Sequence, residues 1–362
     1  MLRTTFFRKF IITFAITFVL VSSIAVGAYA TMRTWVTAPE IPTQQAVTIH
    51  IEQPTTTQTN TSTIDVEDDA EPEPDFDGVL PVVEALMDRK PYFFTFLIFG
   101  LDKSMQADAI MVGSIDAVAN EINVISIPRD TLVDVNRRVR KPSNAYASGR
   151  FGGRDHASGV NQLKVEVSRL TGIRPDFYVQ LDFEAFERVV DTIGGVSVNI
   201  PFHMRYTDPH QDLMIDLPAG EQLLSGEQAL HFARFRQSDR GFTAITDYQR
   251  MENQQYLLTA LFRELISPMT ILRFPEFLRI YSDHVNTDLE YRNMAWFASR
   301  FTSGPGFNIS NFNTYTLPIR GTSGAPYWYE LPDRNGILEL VNRTINPFQQ
   351  DIVAGMLRII DA

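Results

Sequence analysis

The stretch TFLIFGLD, residues 95–102, is an apolar run that ends at a glycine and an aspartate. Residues 95–99 are typical of a buried central strand. Two further strand-like runs follow at residues 109–115 and 121–127, and Ala119 and Asn120 mark the turn between them. Three such runs in succession predict that a β-sheet forms the centre of the folded part, which we expect to begin near residue 91.

Helical and extended patterns alternate after these runs. The predicted helices cover residues 161–170, 183–193 and 244–266, with a further helix opening at the capping-box sequence SGEQ, residues 225–228. Gly172 and Gly194 are the expected helix stops. Extended segments are predicted at residues 176–181 and 196–200. This alternation indicates an α/β domain with a mixed central sheet over residues 91–362.

The amino-terminal region has the pattern of a membrane anchor. Residues 10–32 carry no charge and, at 23 residues, are long enough as a helix to cross a bilayer. Positive residues are concentrated before this span, which predicts that residues 1–9 are cytoplasmic and that the rest is extracytoplasmic. The alternative is a cleaved signal peptide with its site at residues 28–30. We expect a single-pass protein of the cell membrane.

Residues 33–90 read as a disordered spacer. They are rich in Thr, Gln and Pro, and eight acidic residues without a basic one lie between positions 65 and 77. Such a segment repels itself and buries too little apolar surface to fold. A tail that binds a partner is the alternative. The net charge of −11 therefore leaves only −3 for the rest of the chain, so it does not exclude a polyanionic substrate of the folded domain.

The chain has no cysteine, which excludes disulfides, thiol nucleophiles and Cys-ligated metal sites. Two aspartates instead flank the loop after the first run: Asp102 follows it and Asp108 precedes the second run. Loops at the carboxyl ends of strands are where α/β domains bind ligands. Two carboxylates there suit a hard cation such as Mg²⁺ that shares substrate phosphate oxygens, although aspartates are also ordinary turn residues.

Basic residues supply candidate phosphate ligands. Arg129 ends the third run, and Arg234 and Arg236 are two positions apart, so in an extended segment they would face the same way. Paired guanidinium groups form a fork suited to phosphate oxygens. A cluster in the loop region after Asp130 is either a solvated surface or an anion-binding patch; it comprises Arg137, Arg138, Arg140, Lys141, Arg150 and Arg154.

One face of the predicted long helix carries Asp247, Arg250 and Gln254, at spacings i, i+3 and i+7. Polar residues in the middle of a helix usually face water, and the spacing alone does not distinguish that role from ligand binding.

Several motifs together resemble the LytR-CpsA-Psr family, in order and spacing, over residues 92–350. They are IFGLD (98–102), DAIMV (108–112), SIPRDT (126–131), KPSNAY (141–146), DTIGGV (191–196), the segment 217–230 and RFR (234–236). The resemblance implies an α-β-α sandwich. It also implies a phosphotransferase that moves a glycopolymer from a polyprenyl-pyrophosphate carrier to a sugar hydroxyl of peptidoglycan, with release of polyprenyl phosphate.

The resemblance assigns roles to individual residues. Asp102 and Asp108 would bind Mg²⁺, with Mn²⁺ as the alternative ion, and act with Arg129 in catalysis. The implied pyrophosphate ligands are Arg129, Lys141, Arg234, Arg236, Arg250 and Gln254. The implied partners are the lipid-linked glycan, peptidoglycan and the membrane, and no nucleic acid is expected because the predicted cytoplasmic segment is only residues 1–9.

The sequence departs from the family pattern at places where arginines are usual. Gln106 stands two residues before Asp108, Lys103 follows Asp102, and Asn253 precedes Gln254. Fewer positive charges near the phosphates leave the substrate and the turnover rate open. Two alternatives to a transferase remain: a pyrophosphatase, because the same site could use water on the same lipid, and a noncatalytic module that binds cell wall or lipid.

Overall fold

The computed structural model describes residues 36–41, 87–102, 104–153, 155–208, 213–238, 243–267, 274–302, 307–324 and 327–360. The predicted cytoplasmic segment and anchor, residues 1–32, and most of the predicted spacer lie outside these ranges. Among the described residues, no helix has both the length and the apolar character needed to cross a membrane.

A mixed six-stranded sheet forms the centre of the fold, as the sequence predicts. Its strands are β1 (Phe93–Leu101), β2 (Ala107–Asp116), β3 (Glu121–Ser126), β4 (Phe177–Leu181), β9 (Val285–Thr287) and β10 (Phe312–Thr316). The order across the sheet is β10-β3-β2-β1-β4-β9. β1 pairs with β4 and β3 with β10 in parallel, whereas the other neighbours are antiparallel. The carboxyl ends of β1, β3, β4 and β10 therefore lie along one edge, beside the start of β2.

Helices connect and cover these strands. They are α1 (Ala145–Gly153), α2 (His156–Thr171), α3 (Phe183–Ile193), α4 (Gly226–Arg234), α5 (Asp247–Leu265), α6 (Phe274–His284), α7 (Tyr291–Thr302) and α8 (Arg334–Thr344). The predicted stops are confirmed, because Gly172 and Gly194 cap α2 and α3 with φ of 72° and 95°. The capping box at Ser225 opens α4, and α2 begins five residues before the predicted start because Asp155 caps it.

The sheet has helices on both faces. Leu97 and Val112 belong to a buried cluster that also contains Leu163 of α2 and Ile337 of α8. On β10, Tyr315 packs against this cluster, whereas Phe312, an odd number of residues away, stacks on Phe262 of α5 with ring centroids 4.6 Å apart. Side chains alternate across a strand, so α5 lies on the face opposite α2 and α8. Three layers result.

A second core lies beneath two small two-stranded sheets. β5 (Val196–Ile200) pairs with β8 (Gly220–Leu224), and β6 (Met204–Asp208) pairs with β7 (Leu213–Leu217), in both cases antiparallel. Their inward side chains pack with α3, α4 and α5 in one buried cluster. A further two-stranded sheet joins β11 (Ile319–Thr322) to β12 (Glu330–Pro332). The sequence patterns predict β5 but not the other short strands.

Two compact units divide the described residues. The smaller contains residues 36–40 and α7, and in it Asn293 Nδ2 donates to the carbonyl oxygen of Thr37 at 3.5 Å. The larger contains all the other strands and helices, including every residue of the site described next.

Candidate active site

An open cleft lies at the edge of the sheet where β1 and β3 end and β2 begins. Charged and amide side chains from four parts of the chain meet in it: Asp108 of β2, Arg129 and Asp130 after β3, Asp247, Arg250 and Gln254 of α5, and Glu330 of β12. The structure thus brings together four of the residues expected from the sequence, namely Asp108, Arg129, Arg250 and Gln254.

A tight turn after β3 aims Arg129 into the cleft. The carbonyl oxygen of Pro128 accepts from both the amide and the hydroxyl of Thr131, at 3.1 and 2.6 Å. Held by this turn, Arg129 donates through Nη1 to Asp108 Oδ1 at 2.8 Å, and its Nε lies 3.8 Å from Asp247 Oδ2. Burial alone would lower the pKa of Arg129, but its hydrogen bond to Asp108 and the surrounding carboxylates raise it.

Gln255 positions α5 across the strand ends. Its Nε2 lies within hydrogen-bond distance of Ser126 Oγ (3.0 Å), the carbonyl oxygen of Tyr315 (2.8 Å) and Thr316 Oγ1 (3.0 Å), which are the last residues of β3 and β10. A capping box between Thr246 and Gln249 fixes the amino end of the same helix. The first turns of α5 are therefore held over the cleft, with Asp247, Arg250 and Gln254 facing it as their spacing predicts.

Arg250 is a buried cation, and the neighbouring carboxylate neutralises its positive charge only in part. It is 6% exposed, and its Nη2 lies 3.3 Å from Asp247 Oδ1. Desolvation and the positive charges of Arg236 and Arg129 lower its pKa. Within the described part of the chain, the buried Nε atoms of Arg129 and Arg250 have no hydrogen-bond partner. Buried donors without hydrogen bonds are costly, and two such guanidinium groups lining one cleft are suited to binding an anion.

Four of the expected residues do not line the cleft: Asp102, Lys141, Arg234 and Arg236. Asp102 Oδ1 accepts from the amides of Ser104 and Gln106, both at 2.8 Å, and thereby shapes the β1–β2 loop. Lys141 Nζ lies 3.0 Å from Asp130 Oδ1, one residue away from Arg129. Asp102 and Lys141 are thus beside the cleft and not among the residues that line it. To contact a ligand, each side chain would have to move, or the ligand would have to extend out of the cleft.

The expectation of an extended arginine fork is wrong. Arg234 is the last residue of α4, and its guanidinium lies over the ring of Phe183, 4.9 Å from the centroid. Phe235 is the C-cap residue and is fully buried, and with a ψ of 133° its backbone already leaves the helix. The helix extends further than the pattern predicts because the stacking on Phe183 and the burial of Phe235 hold its last turn. Arg236 is exposed but acts on the pKa of Arg250.

At least one arginine of the basic cluster after Asp130 has a structural role. Arg137 donates to both carboxylate oxygens of Glu166, whose side chain is fully buried, and also to the carbonyl oxygens of Val139 and Lys141. This arginine therefore holds the backbone that carries Lys141 and is not part of a solvated patch. Arg154 lies outside the described residues.

The cleft also contains three acidic residues to which the family resemblance gives no role: Asp130, Asp247 and Glu330. Asp130 is visible in the SIPRD motif and Asp247 in the helix spacing, but no local signal points to Glu330, some 200 residues after Arg129. Burial, and then the charges of Asp130 and Asp247, raise the pKa of Glu330 to about 7. The cleft therefore carries more carboxylates than guanidinium groups.

The oxygen donors in and beside the cleft determine whether a divalent cation fits there. No cluster of three or more His, Asp or Glu side chains able to hold a metal occurs among the described residues. A complete protein cage is thus lacking in this part of the chain. Asp108 in the cleft and Asp102 beside it nevertheless supply hard oxygen donors, and Mg²⁺ commonly needs only one or two carboxylates when phosphate oxygens and water complete its shell. The residues fit a shared site of this kind.

The sequence and the fold are both similar to those of known proteins. The profile of the LytR_cpsA_psr family matches residues 48–345. The chain belongs to the LytR-CpsA-Psr family. Its fold also matches that of TagV from Bacillus subtilis with a TM-score of 0.57, at 24% identity, over 70% of this chain and 96% of that one.

Two curated LytR-CpsA-Psr relatives show similar sequences. The regulatory protein MsrR of Staphylococcus aureus is 26% identical over 238 residues, which cover 63% of this chain and 65% of MsrR. The polyisoprenyl-teichoic acid–peptidoglycan teichoic acid transferase TagV of Bacillus subtilis is 29% identical over 274 residues, 72% of this chain. Each match spans 65% of the relative's own length, slightly less than two thirds.

Proposed function

We propose that the protein transfers a glycopolymer from a polyprenyl-pyrophosphate carrier to a sugar hydroxyl of peptidoglycan. The observation that carries the proposal is the pair of arginines, Arg129 and Arg250, which both line one cleft and whose buried Nε atoms have no hydrogen-bond partner in the described structure. Two fork-shaped cations with unsatisfied donors fit the oxygens of a pyrophosphate. Family membership and the name of the TagV relative support the same class of reaction.

In the proposed reaction the oxygen of the acceptor hydroxyl forms a bond to the sugar-linked phosphorus. The bond from that phosphorus to the bridging oxygen breaks, and its electron pair stays on the polyprenyl phosphate that leaves. Charge accumulates on the phosphate oxygens, so catalysis depends on positioning and on fixed positive charge. Arg129 and Arg250 would hold those oxygens. Gln254 also lines the cleft, and its Nε2 donates to the carbonyl oxygen of Ala233 at 3.3 Å.

The carboxylates of the cleft indicate why a cation would accompany the substrate. Asp108, Asp130, Asp247 and Glu330 oppose a pyrophosphate, whose own charge is about −2, and two arginines do not offset them all. Asp102 and Asp108 would hold Mg²⁺ or Mn²⁺, which supplies positive charge beside the phosphate oxygens when bound. Lys141, Arg234 and Arg236 remain proposed ligands for the outer parts of the same substrate.

The proposal is tested with purified full-length protein, a polyprenyl-pyrophosphate-linked glycan, peptidoglycan and Mg²⁺. Release of polyprenyl phosphate together with glycan covalently attached to peptidoglycan is the expected result, and both should be lost in EDTA. Release without attachment would replace the transferase with a pyrophosphatase. Binding without release would leave a noncatalytic module.

We also propose that residues 10–32 anchor the protein and that the folded part is extracytoplasmic. The absence of native cysteine provides a clean test, because a single introduced thiol is the only labelling site. Ser197→Cys, at an exposed position of β5, should react with a membrane-impermeant maleimide in intact cells, whereas Thr4→Cys should react only after the cells are permeabilised. The reverse pattern would contradict the proposed orientation.

A further inference from the structure

Glu330 is fixed to the turn that carries Arg129. Its amide donates to the carbonyl oxygen of Asp130 at 2.9 Å, and its own carbonyl oxygen accepts from Leu132 at 2.8 Å. The two bonds form a parallel bridge to Thr131, and on its other side Glu330 pairs with Thr322 of β11. Its backbone is therefore held between two segments, and its position relative to Arg129 is set by main-chain bonds.

The side chain of Glu330 lines the cleft without an evident structural partner. Its Oε2 is buried and, among the described residues, accepts no hydrogen bond. Glu166 shows what a structural buried glutamate looks like in this fold: both of its oxygens are bonded by Arg137, and Gln162 donates to it at 3.0 Å. An unpartnered carboxylate oxygen beside a pair of phosphate-binding arginines calls for a functional explanation.

We propose that Glu330 is the general base of the transfer reaction and accepts the proton of the acceptor sugar hydroxyl. This proposal rests on the proposed function. As the hydroxyl oxygen forms its bond to the sugar-linked phosphorus, its proton passes to a carboxylate oxygen of Glu330. The electron pair of the broken phosphorus–oxygen bond stays on polyprenyl phosphate, and the protonated Glu330 then returns its proton to solvent.

The electrostatic surroundings of Glu330 suit this role. Burial, Asp130 and Asp247 raise its pKa to about 7, while Lys141 and Arg129 oppose that rise. A base with a pKa near the working pH combines a substantial ionised fraction with real proton affinity. Burial, and then the charge of Glu330, raise the pKa of Tyr248 to about 12, so Tyr248 stays protonated. Asp108 is less suited because Arg129 already bonds its Oδ1.

The test compares wild-type protein with Glu330→Gln in the full transfer assay at saturating Mg²⁺. The amide keeps the size of the side chain but does not accept the proton. We expect kcat to fall by about 100-fold, the lower end of what general-base catalysis contributes, with KM for the lipid substrate unchanged within about twofold. The wild-type rate should rise through pH 7, and the residual rate of Glu330→Gln should lack that pH dependence.

Two further variants keep the test decisive. Glu330→Asp retains a carboxylate on a shorter side chain and should recover part of the rate together with the pH dependence. Glu339→Gln, at an exposed position of α8, is the matched control and should behave as wild type. Thermal melting of each variant confirms that it is folded.

Three results would overturn the assignment of Glu330. They are an unchanged kcat in Glu330→Gln, a loss that appears only as a higher KM, and a loss that additional Mg²⁺ reverses, which would make Glu330 a cation ligand. Failure of the proposed function looks different, because wild-type protein would then release no polyprenyl phosphate or attach no glycan.

Discussion

Arg129 Nη1 lies 2.8 Å from Asp108 Oδ1, which joins the turn after β3 to the first residues of β2. Both groups are needed by the proposed reaction, the arginine for phosphate oxygens and the aspartate for a cation. The hydrogen bond between them therefore competes with phosphate for the same guanidinium. Binding of the substrate with its cation would replace one ion pair by two, in which each partner meets the opposite charge of the ligand.

Asp108→Asn should separate binding from turnover. Loss of the carboxylate frees Arg129, so pyrophosphate affinity measured in EDTA should stay the same or increase. Turnover in Mg²⁺ should fall by about 100-fold or more, the scale on which loss of one electrostatic group affects such sites. Calorimetric titration with inorganic pyrophosphate and the release assay provide the two values.

Asp116→Asn is the matched control for this substitution. It lies at the other end of β2, where its Oδ1 accepts from the amides of Val118 and Ala119, and an asparagine oxygen accepts equally well. Its activity should be that of wild type. Equal loss of pyrophosphate affinity and turnover in Asp108→Asn would contradict the competition described above.

Arg250→Ala should weaken lipid-substrate binding more than Arg234→Ala does. Loss of a charge-assisted hydrogen bond corresponds to about 1.5–3 kcal/mol, so the dissociation constant should rise by about tenfold or more for Arg250→Ala. Arg234 stacks on Phe183 outside the cleft lining, and we expect a smaller loss there. Binding to vesicles that contain the lipid gives the comparison. Equal losses would show that Arg234 reaches the pyrophosphate, as the family resemblance predicts.

Gln255→Leu should reduce both stability and activity, because it removes the donor that ties α5 to the ends of β3 and β10. A buried acceptor left without its donor costs about 1–3 kcal/mol in the free energy of unfolding. Urea denaturation measures that loss, and the release assay measures the displacement of Asp247 and Arg250. Glu252→Leu places the same side chain on the exposed face of α5 and should change neither property. A stable, fully active Gln255→Leu protein would be incompatible with an anchoring role.

Glu330→Gln should raise the melting temperature at alkaline pH. The pKa of Glu330 rises from its usual value near 4.5 to about 7 on folding, so the folded state binds this proton more tightly than the unfolded state. Its contribution to stability is complete below pH 4.5 and is lost as the pH rises through 7. The neutral amide does not ionise beside Asp130 and Asp247. The melting temperatures of variant and wild type should therefore be similar at pH 4.5, and at pH 8 the variant should melt at the higher temperature. A lower value for the variant at pH 8 would contradict a repulsion between ionised Glu330 and these two aspartates.

Patterns of apolar residues predict the central elements of the fold because each is set by local sequence. The runs after residue 95 become β1, β2 and β3, and Gly172 and Gly194 end their helices where expected, since left-handed backbone favours glycine. The short strands β6 to β8 escape prediction because their pairing depends on a hairpin whose apolar face is covered by α3 to α5.

The site is only partly visible in the sequence. The family resemblance identifies Arg129, Arg250 and Gln254. The extended conformation expected at Arg234 is wrong because the helix continues through that position. Glu330 is missed because backbone pairing between Thr131 and a distant strand brings it to the cleft, and no pattern near Glu330 encodes that pairing. Gln255 likewise acquires its role only when β3 and β10 end side by side.

In the proposed reaction Arg129 and Arg250 form the phosphate-binding part of a transfer site. The double substitution Arg129→Ala and Arg250→Ala tests this most directly, in the assay with lipid-linked glycan, peptidoglycan and Mg²⁺. Covalent attachment of glycan to peptidoglycan by wild-type protein should fall to background in the double variant while the melting transition stays cooperative. Attachment at the wild-type rate by the folded double variant would contradict the claim.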